Sequence, residues 1–283
     1  MEGTYDFRGP RDPKMAEYPL MANITPTVLL SAVYLSIVLY IGPQLMKDRK
    51  PFVLRTPMFI YNMLLVGLSS WIVISYVIHG WSWYNFRCHP IDLSESENAV
   101  KVTQICWIFF ISKLVEFCDT IFFILRKKDN QVNFLHVFHH STVPITAWYG
   151  VNYGPGGYNL IFPTANSFVH MWMYLYYGLS ALGPGIQKYL WWKKYLTKLQ
   201  LAQFIFVTGY FLQLYLFPKE NCGVSPFLVW LSLSQAIIYF MLFLHFYIKS
   251  YGEKATKNGP KVRNGDSLDH QNGNSRHSVR KIE

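Results

Sequence analysis

Twenty-one consecutive residues, Pro26 to Met46 ("PTVLLSAVYLSIVLYIGPQLM"), carry no formal charge. At about 1.5 Å rise per residue, a helix of that length crosses the roughly 30 Å hydrocarbon core of a bilayer. Backbone in hydrocarbon must satisfy its own hydrogen bonds, so such a run permits a helix and little else. Six further runs follow. The predicted spans are 26–46, 57–80, 102–125, 134–151, 157–181, 199–217 and 227–248, which makes the chain an all-α membrane protein with seven transmembrane helices. Only 15% of the residues are charged, against about 25% in a soluble domain, and those charges cluster between the runs. Residues 1–24 mix Glu2, Arg8, Lys14 and Glu17 without an apolar stretch, so no signal peptide is expected there.

The chain has 26 Lys and Arg, and one of them, Lys113, lies inside the third run. Of the others, 19 fall in the even-numbered connecting segments and 6 in the odd-numbered ones. Positive residues favour the cytosolic face. Residues 1–25 are therefore expected to be a lumenal or external segment, residues 26–250 the seven-helix domain, and residues 251–283 a cytosolic tail. That tail is basic, rich in Gly and Asn, and without an apolar face, which predicts disorder. The net charge of +10 is explained by this topology, and no nucleic-acid partner is expected. Cys106 and Cys118 fall inside the third run, whereas Cys88 and Cys222 fall in loops on the non-cytosolic side. In an oxidising lumen those two could pair, and two free thiols are the alternative.

Ionisable groups inside a span are costly, so each marks a site or a buried partner. The third run contains "SKLVEFCDT", where Lys113, Glu116, Asp119 and Thr120 share a helical face. A self-neutralising structural pair of Lys113 with Glu116 is the plainer reading. The run ends at Arg126, which puts Asp119 about 10 Å and Lys113 about 20 Å from that end. In "NFLHVFHHSTVP", His136, His139 and His140 stand at i, i+3 and i+4 within two turns of the fourth span. A lone histidine there would most simply be a hydrogen-bonded core residue. Asn166, His170 and Tyr174 repeat every four residues in the fifth span, and Lys193, Thr197 and Gln200 form a face at the start of the sixth. All four faces lie in the cytosolic half, which predicts one polar cavity opening to the cytosol.

Membrane di-iron oxygenases need several histidine boxes, and this chain has one. Three or four neighbouring imidazoles could hold a single zinc. The other use of paired histidines is acyl transfer: a neutral imidazole attacks a thioester, a second handles protons, and amides hold the oxyanion. An imidazole with its ordinary pKa of about 6.5 is largely neutral at cytosolic pH. A hydrophobic bundle suits a long acyl chain, and a basic mouth suits a polyphosphate. The residues thus point to a membrane acyl-CoA enzyme. A receptor cavity would open away from the cytosol, and a transporter would show paired broken helices in two related halves, which are not found here.

Four stretches resemble the signature motifs of the very-long-chain fatty acid elongases, the ELO family. They are "KLVEFCDT" (Lys113–Thr120), "QVNFLHVFHH" (Gln131–His140), "NSFVHMWMYLYY" (Asn166–Tyr177) and "TKLQLAQF" (Thr197–Phe204). The resemblance covers nearly all of the chain up to about Tyr251, and the animal very-long-chain branch is the nearest match. It implies six helices forming a barrel around a narrow acyl tunnel closed at the lumenal end, in the endoplasmic reticulum membrane. It also implies condensation of a long-chain acyl-CoA with malonyl-CoA to a 3-oxoacyl-CoA, CO₂ and CoA by a ping-pong route. By the same resemblance His139 would take the acyl group and His170 would assist, while His136 and Asn166 orient the thioester and oxyanion, with His140 a further catalytic candidate. Spacing alone does not separate the three neighbouring histidines. The matching CoA-side positions are Lys113, Glu116, Asp119, Arg126, Lys128, Gln131, Tyr174, Tyr176, Lys193, Thr197 and Gln200. No metal and no cofactor beyond the two CoA substrates is implied. The expected partners are those substrates, the lipid bilayer and other enzymes of the elongation cycle, with a homo-oligomer allowed.

Overall fold

The apolar runs leave the backbone no partner but itself, and each of them is helical in a computed structural model. The structure describes residues 8–80, 88–217 and 222–252. The helices are α1 (Thr25–Met46), α2 (Arg55–Gly80), α3 (Glu97–Val115), α4 (Phe117–Leu125), α5 (Phe134–Tyr153), α6 (Ile161–Ala181), α7 (Lys193–Leu216) and α8 (Pro226–Tyr251). No strand occurs among the described residues. By length and composition α1, α2, α7 and α8 are long and apolar enough to cross a membrane. The other three predicted spans, α3–α4, α5 and α6, are helical but carry the polar residues singled out above.

Local chemistry sets where these helices start and bend. The Ser96 side chain caps α3 by accepting from the Ala99 amide at 3.2 Å, and Asn133 caps α5 by accepting from the His136 amide at 3.0 Å. In α1 the turn Ile37–Ile41 widens to a π-helix ahead of Pro43, whose ring lacks an N–H and crowds the preceding turn. The third predicted span is not one helix: α3 and α4 are interrupted at Glu116. Pro144 lies inside α5, so the carbonyl of His140, one turn earlier, receives no helical hydrogen bond from it.

Each helix packs against specific neighbours: α2 on α6, α6 on α7, α7 on α8, α8 on α5, α5 on α3, and α3 on α2. Helix α1 lies to one side, against α4 and α5. The α2–α6 contact is close because Gly178 presents no side chain. A Cβ there would stand 3.3 Å from Asn62 Cβ and closer still to the end of Met63.

The sequence sets residues 1–25 apart as an N-terminal segment, but the described part, 8–24, is built into the core. Met15 and Met21 are fully buried against α3 and α5 residues. The buried carboxylate of Asp12 accepts from the Lys14 amide at 3.0 Å and from the Thr103 hydroxyl at 3.1 Å. Arg11 Nε donates to Asn152 Oδ1 at 2.8 Å, and Trp148 Nε1 donates to the Leu20 carbonyl at 3.0 Å. This segment therefore covers the ends of α3 and α5 remote from the histidines. On the same side Cys88 and Cys222 are joined by a disulfide with Cα atoms 5.7 Å apart, tying the segment before α3 to the one before α8. The predicted basic tail beyond Gly252 lies outside the described residues.

Candidate active site

The histidine face of α5 and the Asn–His–Tyr face of α6 meet the charged face of α3–α4. The centre is Lys113, only 2% exposed. Its Nζ donates to Glu116 Oε1 at 2.6 Å and to Asn166 Oδ1 at 2.8 Å, and lies 3.5 Å from His170 Nδ1. Glu116 Oε1 is also 3.1 Å from His170 Nδ1. The shorter contact to a carboxylate assigns the Nδ1 proton to that hydrogen bond. His170 Nε2 is then left as an acceptor, and the Asn166 amide NH₂ as a donor. The helix interruption at Glu116 places this carboxylate between the ammonium and the imidazole.

The ion pair expected as the plain alternative is therefore present, and it is also wired to Asn166 and His170. Lys113 and Glu116, which the resemblance matches to the CoA side, are both buried, and their charged groups meet each other, Asn166 and His170. The Tyr174 hydroxyl, on a fully buried side chain, donates to Asp119 Oδ2 at 2.9 Å and links α6 to α4.

His139 faces this network. Its ring centroid is 6.4 Å from that of His170 and 5.2 Å from that of His140. His140 is buried between its neighbours, 4.3 Å from the His136 ring. His136 Nε2 lies 2.8 Å from the Thr120 hydroxyl. Thr120 in turn meets the Tyr34 hydroxyl of α1 at 2.8 Å, so His136 is anchored to α1 and α4. Of the three imidazoles, His139 is the one set against His170.

Sequence reading assigned no role to several residues that complete the site. The Tyr239 ring of α8 is 5.1 Å from His139, and its hydroxyl meets Thr142 at 2.8 Å. Gln235, one turn earlier on α8, donates to Thr146 at 2.5 Å. The usable signal is Gln235 and Tyr239 four apart in a strongly apolar span. Beyond them, away from the charged network, α2, α3, α5, α6 and α8 enclose a largely apolar cavity. Tyr76, Cys106, Gly150, Leu160 and Leu228 line it. Gly154, the residue after α5, also lines it and lies against Leu228 and Asn159.

The remaining sequence-matched residues lie toward the opposite end. Arg126 is half-buried, with Nη1 3.3 Å from Met58 Sδ. Lys128, Gln131 and Lys193 are exposed. Thr197 is buried, and Gln200 Nε2 lies 3.8 Å from Met173 Sδ. The Tyr176 ring packs edge-on against Trp192 at 5.3 Å. These residues surround the end at which Arg126–Lys128 follows α4, separate from the ion-pair network.

Comparison with known proteins gives this geometry its family. The chain is 46% identical over 243 residues to mouse very long chain fatty acid elongase 1, covering 85% of this chain and 86% of that protein. It is 41% identical over 261 residues to very long chain fatty acid elongase 7 of Drosophila melanogaster, covering 92% and 79%. Human very long chain fatty acid elongase 1 matches at 46% over 244 residues, covering 85% and 86%. The ELO family model, described as the GNS1/SUR4 family, matches residues 19–259. That span includes every residue of the histidine and ion-pair cluster, and the chain belongs to the ELO family.

Proposed function

We propose that this protein is a fatty acid elongating enzyme that condenses a long-chain acyl-CoA with malonyl-CoA, giving a 3-oxoacyl-CoA two carbons longer, CO₂ and CoA. The observation that carries the reading is the approach of His139 to His170, whose Nδ1 is held by the buried Lys113–Glu116–Asn166 network. The names of the relatives support elongation of fatty acids.

A nitrogen of neutral His139 attacks the thioester carbonyl, so an N–C bond forms and the C–S bond breaks. The imidazole proton passes through His170 Nε2 to the leaving CoA thiolate. Glu116 supports the transient imidazolium at His170, as a carboxylate does behind a catalytic histidine. The Asn166 NH₂ donates to the oxyanion, since its own carbonyl is held by Lys113. Malonyl-CoA then loses CO₂, and the resulting carbanion attacks the acyl-imidazole. A C–C bond forms, the C–N bond breaks, and the freed imidazole regains one proton. The net reaction consumes one proton. Exclusion of water protects the acyl-imidazole between the two halves.

The acyl chain occupies the apolar cavity between Tyr239 and Gly154, and CoA lies at the end marked by Arg126, Lys128, Gln131, Tyr176, Lys193, Thr197 and Gln200. The cyclic order of packing from α2 through α6, α7, α8, α5 and α3 supports a six-helix barrel around a tunnel, with all seven spans crossing the membrane. The basic-residue distribution supports a lumenal N-terminus and a cytosolic C-terminus in the endoplasmic reticulum, beside the enzymes that complete the elongation cycle. The test is purified protein in detergent with palmitoyl-CoA and carboxyl-labelled malonyl-CoA. Labelled CO₂ and 3-oxoacyl-CoA in equal amounts are expected. Absence of both from folded protein, across saturated chains of 16 to about 24 carbons, refutes the reading.

A further inference from the structure

Asn62 of α2 belongs to none of the four sequence motifs, yet it is 97% buried with half of its amide unused. Its Nδ2 donates to the Met58 carbonyl one turn back at 2.6 Å. That bond fixes the flip of the amide, because the reversed orientation would set oxygen against oxygen. Oδ1 consequently has no donor among the described residues. A buried acceptor without a partner costs about as much as a lost hydrogen bond, so something must repay it. Close packing against Gly178 keeps the side chain from swinging away.

Asn62 helps to line a cavity together with Asp119, Arg126, Gln131, Tyr177 and Ser180. Asn62 is seven residues from the start of α2, and Asp119 is seven residues before Arg126. Each therefore lies about 10 Å in from that end of its helix. The cavity has a cation near its outer end, at Arg126, whereas its inner wall offers an amide oxygen and a carboxylate. A phosphate or a malonyl carboxylate would be repelled by that inner wall. A neutral N–H donor would be held.

We propose that Asn62 Oδ1 accepts a hydrogen bond from an amide N–H of the substrate's pantetheine arm, which makes Asn62 a further positioning residue for the CoA thioesters. This rests on the acyl-CoA reading above. The pantetheine arm carries two secondary amides between the phosphates and the thioester, the stretch of CoA that must pass from the Arg126 end toward His139. Asn62 thereby sets how far the arm advances, and with it the position of the thioester.

The test pairs substrate and protein changes. Acyl-CoA analogues are made with the N–H of one or the other pantetheine amide replaced by an ester oxygen, and KM and kcat are measured. With wild-type protein one analogue should raise KM about tenfold, the other should have little effect, and kcat should stay within about twofold. Asn62→Leu should raise KM for native acyl-CoA by a similar factor and should no longer distinguish that analogue from the native thioester. If both analogues serve the wild type as well as native acyl-CoA does, or if the analogue and Asn62→Leu losses multiply, the proposal is wrong. Should Asn62→Leu not fold, the wild-type analogue comparison together with Asn62→Ser decides. The condensation reading is tested separately by turnover of unmodified substrates. If turnover is absent, thermal-shift titration with the same three thioesters reads the same affinity ratio.

Discussion

Removing the Lys113 ammonium separates a structural ion pair from a working one. In Lys113→Met, Glu116 remains 3% exposed with no cation beside it, and Asn166 Oδ1 loses the donor at 2.8 Å. Breaking one side of a buried pair costs about 3–5 kcal/mol. For a chain of this size each kcal/mol moves the midpoint by roughly 2–4 °C, so the melt in detergent should fall on the order of 10 °C. The double variant Lys113→Met/Glu116→Gln removes both charges, and its melt should recover most of that loss. Its activity should not recover, because His170 Nδ1 then faces a neutral amide rather than a carboxylate. Turnover should fall at least a hundredfold with KM for acyl-CoA changed little, as expected when an interaction made in the transition state is lost. The assay is condensation by protein whose melt has been recorded in the same detergent. A double variant with a restored melt and more than a tenth of wild-type turnover would leave the pair only a structural role.

Other expectations follow from the same geometry. Peptide mapping without reduction should recover the Cys88–Cys222 link, and Cys222→Ser should cost about 2–5 kcal/mol for a separation of 134 residues; full alkylation of both thiols before reduction contradicts this. Gly178→Ala forces Met63 and Asn62 away from α6 and should destabilise by roughly 1–3 kcal/mol, read as a lower melt; an unchanged melt would show that α2 yields freely. His89, in the loop beside the disulfide, has its pKa lowered by burial. The unfolded chain binds that proton more readily, so stability is present above about pH 6.5 and declines as pH falls through that value toward the folded pKa. His89→Gln should flatten the melt-versus-pH curve between about pH 6.5 and 5.5, and an equally steep curve would assign the dependence elsewhere.

Much of this was legible because a membrane leaves a chain few options. Apolar runs announced all seven long helical segments, and their polar positions announced which faces would meet. Helix ends were less legible. The sixth predicted span begins at residue 199, whereas α7 begins at Lys193, because the helix continues through lysines that the hydropathy pattern excludes. The interruption at Glu116 was also invisible, since the residue type does not reveal that its carboxylate will sit between an ammonium and an imidazole. Spacing placed Lys113, Glu116 and Asp119 on one face but could not say that Asn166, 53 residues on, would share the ammonium. Thr120 was noted only as part of that face, and its bond to His136 depends on how α4 meets α5. Tyr239 and the unpaired oxygen of Asn62 lie on helices of high mean hydropathy, where a scattered polar residue reads as packing.

Incubation with long-chain acyl-CoA alone tests the central claim most directly, with intact-mass and peptide analysis of the protein. Release of one equivalent of CoA is predicted, with an acyl adduct on His139 that malonyl-CoA discharges as 3-oxoacyl-CoA. His139→Ala should abolish adduct and product together, whereas His140→Ala should reduce both less completely. Release of CoA only when both substrates are present, with no adduct at any time, would contradict the acyl-histidine route and leave His139 as a base in a direct condensation.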